Sequence, residues 1–400
     1  MERGGSRALE RRLLAWQALD EAMPIFPVYA LLFADAGLSV TQISLLLALW
    51  SVVGIVLEVP SGAWADSVSR RALLAAGAVV YAAAFATWVL VPTFAGFAAG
   101  FVLWGLSGAL TSGTFQALAY DELAARGAAE RYAHVIGVGQ ALAVGAMTAT
   151  TLLAAPLLAL GGYDLVGWAS VGVCLLQLAV VATFPAASPV LPAAALEEAG
   201  GAWRWRDALG TGLREAATAG VVRGAVLASA TVLALQVLDE YFGLLFREQG
   251  ASLVVVPLLV GLVAVGEAVG ALMATRATSW TPRHAGLVVT AAGVLVVLAA
   301  LSPGPWVAAL ALTIGYGLVQ LSVVLAEVRL QDVIEHGARA TVVSTSNVLA
   351  ELLTVVAYVG VAFAPGGGIA GPVLVLGGCV VLLGPLVARW LPASRAVAGR

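Results

Sequence analysis

Apolar runs of about twenty residues recur from one end of the chain to the other, separated by short clusters of arginines, prolines and acids. They fall near 13–35, 41–64, 71–91, 94–120, 133–158, 163–184, 224–246, 253–275, 284–302, 305–328, 341–364 and 370–391. As an α-helix, a run of this length crosses the ~30 Å hydrocarbon core of a bilayer. The pattern therefore predicts an all-α integral membrane protein with twelve transmembrane helices. Six runs precede and six follow the longest polar stretch, so the expected organisation is an N-terminal six-helix bundle (1–184), a cytoplasmic linker (185–223) and a C-terminal six-helix bundle (224–400). The linker carries Trp203, Arg204, Trp205 and Arg206 in succession. It reads equally as a solvated connection or as a helix lying in the headgroup interface.

The arginines test the count. Twelve spans put both termini on one side, and with that side cytoplasmic every arginine but Arg247 is inside or at the inner edge. The positive-inside rule predicts this bias, and a miscounted span would scramble it. The first residues hold Arg3, Arg7, Arg11 and Arg12 and run into the first apolar stretch without a small-residue cleavage site, so they read as the start of a span.

Composition narrows the classes. Hydrophobic residues make up 61% of the chain and charged residues 11%, with a mean hydropathy of +0.98. Such a surface excludes a protein facing water all round, and it argues against nucleic acid as a partner. The chain has no lysine, so no Gly-x-x-x-x-Gly-Lys-Ser/Thr phosphate loop exists and an ATP-driven pump is disfavoured. Cys174 and Cys379 lie in apolar runs, and His134, His284 and His336 fall at loop-side positions. No metal, cofactor or catalytic constellation is expected.

The two halves are similar to each other. Gln17-Ala-Leu-Asp20-Glu21 matches Gln236-Val-Leu-Asp239-Glu240, and Phe33, Gly37 and Ser39 match Phe246, Gly250 and Ser252. Arg70 with Arg283, Pro92 with Pro303 and Arg131 with Arg339 continue the series in order. A six-helix unit duplicated in one orientation accounts for it, and such repeats bind substrate near the midplane.

Three segments carry a family resemblance. Gly62-Ala-Trp-Ala-Asp66-Ser-Val-Ser-Arg70-Arg71 resembles the signature loop of the major facilitator superfamily, with serines at two usual Arg and Gly positions. The segment from Ser112 to Leu123, which includes Tyr120 and Asp121, and Arg339-Ala-Thr-Val-Val-Ser344 are similar to motifs of its bacterial drug-exporter-like branch. Trp104 stands where drug antiporters of that branch often carry a buried arginine, and the Gly-Pro motif of their fifth span is missing. The resemblance implies alternating access between two bundles, and gating by Gly62, Asp66, Arg70, Arg71 and Asp121. The simpler alternative for Arg70 and Arg71 is topological anchoring.

Acids occur within the spans without matching bases: Asp20, Glu21, Glu58, Asp239, Glu240, Glu267, Glu327 and Glu351. A charge at the bilayer centre costs at least ~2.5–3.5 kcal/mol, so these groups are expected to be protonated, to face water, or to face a cation. The imbalance disfavours an anionic substrate. Glu58 and Glu327 lie near cytoplasmic ends, where pairing with arginines such as Arg329 is expected. Pro24 has no N–H for the Asp20 carbonyl and Pro27 none for that of Met23, which predicts an interrupted first span with spare acceptors beside a carboxylate. Neighbouring residues point ~100° apart on a helix, so one acid of each Asp-Glu pair is expected to face the cavity, with Asp20 and Asp239 preferred. Glu267 lies between Gly266 and Gly270, either as a protonated donor at a close helix contact or on the pathway. Ser344, Asn347, Glu351 and Thr354 form one polar face, and Gln320, Gln140 and His134 are further polar candidates. Tyr29, Trp50, Trp104, Tyr241, Phe242 and Tyr316 are candidates for an apolar wall.

Together these features point to a monomeric secondary transporter in a bacterial cytoplasmic membrane. The leading expectation is proton-coupled efflux of a hydrophobic neutral or cationic small molecule, such as a drug or natural product. Proton symport or uniport for uptake of an organic solute is the alternative.

Overall fold

The computed structural model describes residues 2–185, 220–334, 339–364 and 368–393; side chains of 2–6, 58–67 and 339–341 are not among those described. The linker from 186 to 219, His336, and the side chains of Glu58, Gly62 and Asp66 thus lie outside the described residues. The described residues are helical almost throughout. Ten helical segments among them are long and apolar enough to cross a membrane.

The chain divides into two compact units, Met1–Leu191 with Leu253–Leu258, and Pro192–Ser252 with Leu259–Arg400. The first contains α1 (Glu2–Asp20), α2 (Tyr29–Asp35), α3 (Val40–Ser67), α4 (Arg70–Leu90), α5 (Phe94–Thr111), α6 (Thr114–Ala124) and α7 (Tyr132–Ala182). Helix α7 is interrupted at Gly161 and Gly162, and Gly162 takes φ 61°, a left-handed backbone that favours glycine. The interruption falls where the hydropathy pattern separates 133–158 from 163–184. Helix α4 packs against α5 and α7, α1 against α7, and α3 against α5.

The second unit contains α8 (Gly220–Ala234), a 3-10 segment (Leu235–Tyr241), α9 (Phe242–Glu248), α10 (Val256–Ala277), α11 (Pro282–Ala300), α12 (Pro305–Val333), α13 (Arg339–Ala362) and α14 (Ala370–Trp390). Helices α11 and α14 lie close enough that glycines are required between them. A Cβ at Gly286 would sit 2.5 Å from the Gly384 carbonyl oxygen, and one at Gly293 would sit 2.9 Å from that of Gly377. In lipid, where apolar surface gains little by leaving its solvent, such close packing supplies much of the association energy.

The repeat is visible in backbone geometry. After Phe33, the amides of Ala36, Gly37 and Leu38 donate to Leu32, Ala34 and Phe33. After Phe246, those of Gln249, Gly250 and Ala251 donate to Leu245, Arg247 and Phe246. Gly37 and Gly250 adopt φ 93° and 94° in these matching turns. The register also aligns a pair of acids, one in each unit, that the motif reading passed over. Asp35 accepts from the Tyr163 hydroxyl at 2.7 Å, and Glu248 accepts from the Ile369 amide at 2.5 Å. Each ties the C-terminal end of its unit's first span to the start of the last.

Candidate functional site

Each unit breaks its first span at the Gln-x-x-Asp-Glu motif. In the first unit α1 stops at Asp20 and helix resumes only at Tyr29. The intervening residues make short turns, with the Ala22 amide on the Leu19 carbonyl and the Met23 amide on that of Glu21. The Met23 carbonyl, expected to be freed by Pro27, accepts from the Phe26 amide at 3.2 Å.

One face of the second arm of α7 supports this break. Ser170 Oγ accepts from the Ile25 amide at 3.1 Å and itself donates to the Val166 carbonyl at 3.0 Å. Gln177 Nε2 donates to Asp20 Oδ1 at 2.8 Å, and Cys174 Sγ lies 3.9 Å from Met23 Sδ. The spacing 170, 174, 177 places these three groups on one helical face. Asp20 is thus half-buried on a neutral amide rather than on a base. An amide can donate to a carboxylate or, turned over, accept from a carboxylic acid, so the contact suits either protonation state. Glu21 is also half-buried. Gln17 is buried against Gly139, with no partner for its Nε2 among the described residues.

Beside the break lies a continuous aromatic cluster. Trp104 stacks on Phe26 (5.3 Å between ring centroids) and on Phe101 (5.9 Å), and it lies 4.8 Å from Trp50. Tyr29, Tyr81, Phe85 and Trp88 complete its surroundings. Most of these rings are fully packed, whereas Phe26, Trp50 and Trp104 keep accessible surface.

In the second unit the break is a tightened 3-10 segment, Leu235–Tyr241, that contains Asp239 and Glu240. Helix α12 supports it. The Tyr316 hydroxyl donates to the Gln236 carbonyl at 2.9 Å and lies in hydrogen-bonding reach of the Asp239 carboxyl group. One turn on, Gln320 Oε1 accepts from Gln236 Nε2 at 3.3 Å. Asp239 is exposed, between the buried Leu238 and the half-buried Glu240, and Tyr241 beyond them is buried. Glu267 is half-buried and within electrostatic range of Asp239. Gly266 and Gly270 pack directly on the backbone of Thr313 and Gly317, so Glu267 does flank a close helix contact.

The remaining candidates separate. Asn347 and Glu351 are exposed on α13, while Tyr241 and Tyr316 are fully buried, so these two tyrosines belong to the packing and not to an open wall. Gln140 and His134 are exposed. Arg70 forms an ion pair with Asp121, which joins two of the expected gating residues. Arg71 and Arg12 donate to the Ala182 and Thr183 carbonyls at 2.6 and 2.8 Å, favourable positions for cations at a helix C-terminus. Arg329, expected as a loop-side partner for acids, is instead buried and donates to the Thr278, Trp280 and Pro392 carbonyls, while Glu327 is exposed.

Two broken spans with carboxyl groups at the breaks, held by polar side chains from neighbouring spans, define a membrane transporter of the helical class. A family model described as Major Facilitator Superfamily matches residues 15–358, and the chain belongs to that superfamily. No curated protein sequence matches the chain. Among solved structures, the nucleoside transporter NupG is similar at TM-score 0.73 and 14% identity, covering 96% of this chain and 98% of its own. A D-xylose-proton symporter matches at TM-score 0.68 and 14% identity, covering 98% of each chain. A bacterial homologue of the iron transporter ferroportin matches at 0.71 and 18%, covering 96% of this chain and 98% of its own. These likenesses are of fold, and with the family they establish a transport role in a membrane.

Proposed function

We propose that the protein is a proton-coupled secondary transporter that exports a hydrophobic neutral or cationic small molecule by alternating access. The reading takes two six-helix bundles, 1–184 and 224–400, joined by 185–223, with twelve spans and both termini cytoplasmic, acting as a monomer in a bacterial inner membrane. The observation that carries it is the placement of carboxyl groups at both broken spans, Asp20 and Glu21 in one unit and Asp239, Glu240 and Glu267 in the other, with Asp20 held by the neutral Gln177 and Asp239 beside the Tyr316 hydroxyl. Asp239 is the strongest proton-loading group, because it is accessible within a span and sits on a segment that is not regular α-helix. Asn347, Glu351 and Gln320 contribute polar contacts along the pathway. The Arg70–Asp121 pair, with Gly62, Asp66 and Arg71, forms the gating element at the cytoplasmic side.

Uptake by proton symport or uniport is the second reading. It is favoured by the missing Gly-Pro in the fifth span and by the likeness to a sugar-proton symporter and a nucleoside transporter. Purified protein in liposomes with an internal pH dye separates the two. A panel of hydrophobic cations, neutral antibiotics, nucleosides and sugars is added under a proton gradient, with Asp20→Asn, Asp239→Asn, Glu267→Gln and Glu351→Gln beside wild type. Proton movement opposite to solute flux, lost in Asp239→Asn, is the expected result. Movement in the same direction selects symport, and flux without proton movement in any variant overturns proton coupling.

A further inference from the structure

Trp50 and Trp104 each begin a Trp-x-x-x-Gly turn, Trp50 to Gly54 on α3 and Trp104 to Gly108 on α5. The outward-facing residues of these helices include Val52 and Val102, both 42% exposed. Val52 lies two positions after Trp50 and Val102 two positions before Trp104, each about 200° round its helix in one sense or the other, so both indoles are on the inward side of the unit. Four positions beyond each tryptophan, on nearly the same face, Gly54 and Gly108 are exposed, and a Cβ at either would meet no atom within 4 Å. Elsewhere in the unit, glycines at helix contacts leave no such room: a Cβ at Gly77 would lie 2.6 Å from Thr111 Cγ2. Open space therefore adjoins the two indoles, whose centroids are 4.8 Å apart.

The floor of this space is rigid. Trp104 is backed by Phe101 at an interplanar angle of 8° and by Phe26 at 10°, while Trp88 behind them donates its indole N–H to the Phe97 carbonyl at 3.1 Å. Rings already locked in place lose little freedom when a ligand stacks on them. No charge is presented by either indole, so selection rests on shape and π surface.

We infer that Trp50 and Trp104 form a stacking platform for a flat aromatic ring system of the transported solute, seated in the open space beside Gly54 and Gly108. The inference rests on the transport reading and adds the class of solute to it. A flat ring gains offset stacking on both indoles; a saturated solute of equal bulk gains only apolar contact.

The test uses full-length protein in lipid nanodiscs and two sets of probes: ethidium and acridine orange as flat aromatic rings, tetrapentylammonium as an aliphatic cation of similar bulk. Binding is read by tryptophan quenching and energy transfer. Wild type is expected to bind the flat dyes saturably and more tightly than tetrapentylammonium. Gly54→Leu and Gly108→Leu fill empty space on helices, so their thermal unfolding should match wild type while dye Kd rises about tenfold or more, the loss of one stacking contact. Trp104→Leu should weaken the dyes to a similar extent and leave tetrapentylammonium unchanged. Unaltered dye affinity in both leucine variants, or no saturable binding of either dye to wild type, overturns the platform. Liposome flux keeps the two failures apart. If wild type moves no solute, transport itself is wrong; if it moves flat and aliphatic solutes alike and the leucine variants do the same, only the platform falls.

Discussion

Adjacent glycines on α14 should respond differently to alanine, according to what each meets across the contact with α11. Gly293 faces α14 so closely that a Cβ would lie 2.5 Å from the Val381 amide nitrogen and 2.9 Å from the Gly377 carbonyl oxygen. Ordinary van der Waals contact begins at 3.4 Å, so Gly293→Ala must push two backbones apart by nearly 1 Å. Gly377 is similarly tight, with Val297 N and two valine methyls at 3.0 Å, whereas a Cβ on Gly378 meets nothing within 4 Å. All three positions gain the ~1 kcal/mol by which alanine exceeds glycine in a helix interior. That gain is common to the set and cancels in the comparison. Overpacking then costs ~1–3 kcal/mol at Gly293, somewhat less at Gly377 because methyls can yield, and nothing at Gly378. The expected order of stability is Gly378→Ala at or above wild type, then Gly377→Ala, then Gly293→Ala. Denaturant titration of the purified protein in mixed micelles, followed by tryptophan emission, measures it. If Gly293→Ala and Gly378→Ala shift the midpoint equally, the helices are not held at backbone contact and the packing argument is wrong.

Other perturbations follow from single contacts. Ser170→Ala leaves the Ile25 amide without its acceptor in a buried place, which should cost about 1–3 kcal/mol; hydrogen exchange at Ile25 should quicken more than at Leu13. Arg329→Met strands the Thr278 and Trp280 carbonyls and loses at least ~2 kcal/mol, while Arg329→Lys, a point charge without the planar fork, recovers only part. The Arg70–Asp121 pair is 31% and 52% exposed, so a double-mutant cycle should give a coupling below ~1 kcal/mol that fades with salt. A larger coupling, unaffected by salt, would mean that the pair is enclosed in the working state.

Much of this architecture is legible in the chain because its signals are local. Hydropathy runs locate helices, and Gly37 and Gly250 announce the turns that close the first span of each unit. Pro24, two positions before Phe26, announces the break after Asp20, since a missing N–H acts within one turn. What stayed hidden depends on which helices become neighbours. Ser170, Cys174 and Gln177 show their common face in the spacing, yet nothing in the sequence says that this face meets the break in the first span. Arg329 sits at a helix end where charged residues normally reach water, and only the fold reveals three carbonyls gathered round it. Tyr316 is a candidate wall residue from the sequence alone, whereas in the fold its hydroxyl is taken up by the Gln236 carbonyl. The Gly161–Gly162 interruption coincides with the gap in the hydropathy pattern, and the backbone leaves the helical path at both glycines.

The two breaks share a motif but not a mode of support, and this difference has a physical consequence. A backbone that leaves the helical path inside a membrane exposes amides and carbonyls, each costly unless met by a partner. In the first unit the prolines remove donors outright, and α7 satisfies the remainder with Ser170 while Gln177 holds Asp20. In the second unit no proline intervenes; the chain tightens into 3-10 turns, α12 supplies Tyr316 and Gln320, and Asp239 remains accessible. A 3-10 segment can revert to α-helix by lengthening its hydrogen bonds by one residue, whereas Pro24 and Pro27 can never regain their N–H groups. The first break is therefore fixed by covalent structure, and the second is held by contacts that a neighbouring helix can withdraw. If one of the two moves during transport, it is the one bearing Asp239. Tyr316→Phe removes the hydroxyl that holds the Gln236 carbonyl, so amide exchange across 235–241 should accelerate while exchange across 21–29 stays as in wild type. Equal acceleration at both sites would show that the breaks are coupled and that this division of labour is wrong.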